Sequence, residues 1–177
     1  MEQDTIWQLI DATLKIGLGA LIAMFFSWII TTKRSTAQSY PRLNRRLELF
    51  EGISKDVGNV NHAFAKYSSL IIESTRFGIR WPQARKDELD RINNELVAAF
   101  NKIADAESNL LMLGEKTMEK TLRLYGAKIA YFRKHVYVGR QDISDEEIGQ
   151  IKREITRLRE QFYDILSRKY DRLLAAA

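Results

Sequence analysis

Between Ile16 and Ile30 the chain reads IGLGALIAMFFSWII, fifteen residues of which only Ser27 is polar. No other feature of the 177 residues limits the fold so strongly. A helix that is apolar all round must be covered on every side, by a protein core or by lipid. Fifteen helical residues reach about 22 Å, short of a hydrocarbon core near 30 Å. Trp7 and Trp28 bracket a longer stretch of about 31 Å along a helix axis, which suits two interfacial aromatic anchors. The pattern predicts a transmembrane helix from near Thr5 to Thr32. A cleaved signal peptide opens on basic residues, whereas this chain opens MEQDT, so the span is read as a retained anchor.

Charge gives the span a direction. The formal net charge is +5, and it is unevenly placed. Residues 1–32 hold Glu2, Asp4 and Asp11 against Lys15. Residues 33–46 hold Lys33, Arg34, Arg42, Arg45 and Arg46 with no acid, and the remainder is nearly balanced. A basic flank on one side predicts that side to be cytoplasmic, with the N-terminus outside. It also predicts contact with anionic lipid, at about 1 kcal/mol per basic residue. Nucleic acid, the other partner of a basic chain, is expected only weakly.

Two charges fall inside the span. Asp11 and Lys15 stand in the favourable i,i+4 order, and charges within a span are functional candidates. They belong to a stripe of polar or small residues: Gln8, Asp11, Lys15, Gly19, Ala23 and Ser27. Gly19 and Ala23 form a small-xxx-small pair that lets helices approach closely. The stripe therefore predicts self-association, around neighbouring helices or a water-filled centre. The alternative is a bilayer that begins near Ala12, with Lys15 snorkelling outward.

The rest of the chain is expected to be all-α: a transmembrane helix (1–32), a basic juxtamembrane link (33–46) and a cytoplasmic bundle of three or four long helices (47–177). Pro41 suits a first helical turn. Leu43, Leu47, Phe50, Ile53 and Val57 recur at three- and four-residue steps, and the pattern continues to Glu73. The segment TRFGIRWP (75–82) breaks it with Gly78 and Pro82. Leu89, Ile92, Leu96, Ala99, Ile103, Ala106, Leu110 and Leu113 form a heptad seam. Gly114 is expected to kink that helix, and the seam to resume at Leu124, Ala127 and Tyr131 until about Val138–Gly139. Ser144 with Glu147 reads as a capping box, and Ile148, Ile151, Ile155, Leu158, Phe162 and Ile165 follow in heptads. Long helices with short connections pack as an antiparallel bundle. Seam surplus to the core would serve self-assembly, which a membrane tether favours by concentrating protomers.

Chemistry-bearing motifs are sparse. The chain has no cysteine, which excludes disulfides, thiolate metal sites and thiol nucleophiles. GxxxxGK[ST], GxGxxG, GxSxG and HExxH do not occur, and neither of the two histidines follows a Glu-x-x pattern of a di-iron bundle. No metal or cofactor is expected, and no catalytic residue. The stretch from Tyr125 to Arg140 interleaves aromatic and basic residues, and Lys128, Arg133, Lys134, His135 and Arg140 are its candidate polyanion contacts. The plainer reading is a cationic helix C-terminus. His62, between Asn61 and Ala63, reads as a structural or surface histidine.

Two stretches, ADAESNLLMLGEKTMEKTL (104–122) and EQFYDILSRKYDRL (160–173), resemble helical domains of small single-span bacterial membrane proteins linked to defence. The layout is also similar to the membrane accessory proteins of type VI CRISPR systems. That resemblance implies a degenerate HEPN-like helical fold and a pore-like oligomer acting in antiviral defence. HEPN ribonucleases place four to six residues between an Arg and a histidine. The positions so spaced here are 55–57 and 128–130, which hold no Arg, so no catalytic residue carries over. The expectation is a non-enzymatic, self-associating single-pass protein, with membrane lipids and its own copies as partners. The alternatives are a tethered adaptor for a cytoplasmic protein and, third, a membrane-bound nucleic-acid binder or nuclease.

Overall fold

The computed structural model describes residues 41–140 and 142–175. The chain divides into two compact units between Arg45 and Arg46. The first is described only over 41–45, which are helical. The predicted span, its stripe from Gln8 to Ser27, and Lys33 and Arg34 lie outside the described residues. Among the described residues no helix is long and apolar enough to cross a membrane.

The second unit is all-α. Residues 41–77 form α1, of which Arg46 onward belongs to this unit; α2 is Gln83–Met112, α3 Lys116–His135 and α4 Asp145–Ala175. No strand occurs among the described residues. A 3-10 turn at Gly78–Arg80 separates α1 from α2, and Trp81 is extended ahead of Pro82, as an X–Pro step requires.

The helices run up and down. Glu73 of α1 meets Arg85 of α2 while Asp56 meets Lys102 at 3.9 Å, so α1 and α2 are antiparallel. Phe100 and Ile103 of α2 flank Gly126 of α3, and Asn93 accepts from Arg133 at 2.7 Å. Lys128 of α3 pairs with Glu154 of α4, and Glu115 with Lys169 at 2.6 Å. Tyr163 of α4 donates to the Ser54 carbonyl of α1 at 3.1 Å, and Arg159 to Asn61 at 2.9 Å. Each helix thus pairs with two neighbours, and α3 stands diagonal to α1 across the core. Those two face each other across the core, where Phe64 and Phe132 pack edge to face at 5.1 Å.

The α2 seam is buried as expected from Leu89 to Leu110, every member included. Leu113 is half-buried. On α4, Ile148, Ile155 and Phe162 are buried at seven-residue intervals, after which Leu166 takes the position expected of Ile165. The capping box forms: the Ser144 N–H donates to Glu147 at 2.9 Å and the Glu147 N–H to the Ser144 hydroxyl at 3.1 Å. The Ser144 N–H, and then its hydroxyl, hold the Glu147 carboxyl below its usual range.

Two expectations change after α2. Gly114 does not kink a continuous helix. It sits at φ +77° in a turn that ends α2 and reverses the chain, a conformation a Cβ disfavours. The reversal resets the register. Met118, Leu122, Tyr125, Ile129 and Phe132 face the core of α3, whereas Leu124, Ala127 and Tyr131 are exposed. The helix also ends at His135, earlier than Val138.

Candidate functional site

The five candidate polyanion contacts lie in the C-terminal half of α3 and the loop after it, and four of them have local partners. Lys128 pairs with Glu154 and stands 4.9 Å from the Tyr131 ring centroid. Arg133 donates to Asn93 and lies 5.8 Å from the Tyr67 ring. Arg140 donates to the His135 carbonyl and pairs with Asp142 at 3.0 Å, which holds the Asp142 carboxyl below its usual range. Lys134 is exposed. His135 stacks on Tyr131, with 3.8 Å between centroids, and its Nδ1 lies 2.9 Å from the Tyr131 carbonyl. Cations at the C-terminal end of α3 also suit the helix dipole. The basic flank is described at three positions: Arg42, Arg45 and Arg46 are exposed, and Arg46 donates to the Leu113 carbonyl at 3.5 Å.

His62 is exposed on α1, in a shallow hollow of about 310 Å³ shared with Asn59, Glu95 and Lys102. Among the described residues no three His, Cys, Asp or Glu side chains are grouped to hold a metal ion. Glu119 is buried on α3 beside Arg123, at 3.6 Å, and near Glu107 of α2. Burial first, and then the Glu119 charge, push the Glu107 carboxyl upward.

Another concavity is one that sequence reading missed. A groove of about 630 Å³ runs between α1 and α4. Its floor is apolar, from Phe50, Leu166, Tyr163 and Tyr170. Its sides carry Glu51, Asp164 and Asp171 against the single cation Lys55. Tyr170 donates to Glu51 at 2.6 Å, and with Tyr163 it fixes α4 on α1. The sequence signal is slight: Asp164 and Asp171 lie one heptad apart on the polar side of the α4 seam. Their partners from α1 are more than a hundred residues away.

The opposite feature is a ridge. Five of the large exposed apolar side chains belong to α2 and α3: Val97, Leu111 and Met112 on the first, Leu124 and Tyr131 on the second. On α3 the ridge is framed by Lys116, Lys120, Arg123 and Lys134, and the one acid of that helix, Glu119, is buried. No protein family model, characterised protein or solved structure matches this chain.

Proposed function

We propose that this chain is a membrane-anchored, self-associating helical bundle without catalytic activity, whose N-terminal helices assemble side by side. One observation carries the reading. The core of the bundle is closed by one buried seam per helix, and a second heptad-spaced set on α3 (Leu124, Ala127, Tyr131) remains outside it. Apolar residues at helical spacing that the fold leaves uncovered are suited to another helix surface. The sequence supplies the rest: an apolar run at 16–30 for the anchor, a basic flank to hold the bundle on the cytoplasmic side, and the Asp11–Lys15–Gly19–Ala23 stripe for helix contacts within the bilayer. Assembled around Asp11 and Lys15, the anchors would line a polar path and perturb the membrane, as the resemblance to defence proteins implies.

Mass photometry of the full chain in detergent tests the association, and only monomers would remove it. The pore is tested apart from it. Replacing Asp11 and Lys15 together by Leu should abolish dye leakage from reconstituted vesicles while the oligomer persists. Leakage equal to that of the unmodified chain would remove the pore and leave the assembly.

A further inference from the structure

We infer that the α3 ridge of one copy docks in the α1/α4 groove of the next, so that the bundles join head to tail. This rests on the self-association proposed above and names its surfaces.

The first ground is charge. The exposed side of α3 presents Leu124 and Tyr131 between Lys120 and Lys134, with no exposed acid on that helix. The groove presents an apolar floor between Glu51, Asp164 and Asp171, with Lys55 alone opposing them. Arg168, beside the groove on α4, donates to the Asp164 carbonyl at 3.0 Å. Apolar centre meets apolar centre, and a basic frame meets an acidic one, which is what selects a partner and its orientation.

The second ground is placement. Ridge and groove cannot meet within one chain. The ridge is on the outward side of α3, away from the core, whereas the groove lies between α1 and α4. A two-fold pairing of ridge on ridge would oppose Lys120 and Lys134 to their own copies, and like charges facing each other are costly. An anionic lipid surface would suit the ridge but would leave the groove without a counterpart. One occupant, a second copy, accounts for both surfaces. A contact between different patches of identical subunits propagates, closing to a ring or extending as a filament. Copies anchored in one membrane share one orientation, which favours closure.

The absence of cysteine makes the test direct. Leu124→Cys and Ser167→Cys, made separately in the full chain in detergent, should each give no cross-linked product with a short bis-maleimide. Mixing the two should give a dimer, and a chain carrying both should give a ladder. Lys120→Glu with Lys134→Glu should lower the assembled fraction roughly tenfold, as should Asp164→Lys with Asp171→Lys. All four substitutions together should restore it. Oligomers by mass photometry without 124–167 cross-links, or without restoration by the fourfold variant, overturn the docking and leave the anchor-driven assembly standing. Dimers from Leu124→Cys alone overturn it in favour of a two-fold contact. Labelling of a probe at 124 by anionic vesicles but not by a second copy assigns the ridge to lipid and overturns it too. Monomers alone overturn both readings.

Discussion

Leu122 and Leu124 stand two positions apart on α3, the first wholly buried and the second 49% exposed. The seam of α2 and the ridge of α3 show the same contrast on the scale of helices. Both have apolar residues at three- and four-residue steps, yet Leu89 to Leu110 fill the core while Leu124, Ala127 and Tyr131 face outward. Periodicity establishes that a segment is a helix with an apolar side. It does not establish which side the fold covers when a helix has two. On α3 the inner set is Met118, Leu122, Tyr125, Ile129 and Phe132, richer in large side chains than the outer. A core takes the set that fills it best, and the poorer set is left for a partner or for solvent.

The contrast is broken most severely at its inner member. Phe132 is fully buried against Phe64, so Phe132→Ala should cost about 3–5 kcal/mol in denaturant unfolding. Its neighbour Tyr131→Ala should stay within about 0.5 kcal/mol. Equal losses would mean that the outer stripe is part of the core after all. The next largest effect falls on the turn that separates the two sets. Gly114→Ala places a Cβ at φ +77° and should cost about 1–2 kcal/mol, although nothing lies within 4 Å of that Cβ. A variant as stable as the parent would show that α2 and α3 tolerate a continuous path, and the reset of register would lose its cause.

That turn is also where the fold ceased to be legible. The α2 seam, the break at 75–82 and the Ser144–Glu147 box can all be read locally, because each depends on residues within a few positions of one another. Gly114 can be read as a punctuation mark, but a kink and a reversal use the same residue. Choosing between them depends on what the following helix packs against. The groove was not legible at all. Glu51 and Tyr170 are 119 residues apart, and only the antiparallel pairing of α1 with α4 brings them together. Arg133 and Arg140 gain partners in the fold. As sequence they are two cations of a basic stretch, while in the fold Asn93 and Asp142 take them up.

A smaller effect tests whether α4 is aligned by its start. Ser144→Ala removes the hydroxyl half of the capping box, leaves the Ser144 N–H bond to Glu147 in place, and should cost about 1 kcal/mol. Its pH dependence has a definite sign. Glu147 titrates lower in the folded chain than in the unfolded one. Its contribution is therefore present above the unfolded-state value and is lost as pH falls through the folded one. The difference between Ser144→Ala and the parent should narrow on acidification. A gap that widens toward low pH would contradict this assignment of the cap.

The least effect on stability, and the sharpest test of the comparison, belongs to Leu124. Leu122→Ala should cost about 2–5 kcal/mol at any protein concentration, because its contacts lie within one chain. Leu124→Ala should change the unfolding of dilute protein by less than about 0.5 kcal/mol. At higher concentration the two leucines should diverge in another way. Anything that binds the folded chain but not the unfolded one raises apparent stability by mass action. If a second copy covers the ridge, the Tm of the parent chain should rise with concentration, and Leu124→Ala should remove that rise while Leu122→Ala keeps it from a lower starting point. A parent Tm independent of concentration would leave the outer stripe as ordinary surface, and the surplus of apolar residues on α3 would then have no role in assembly.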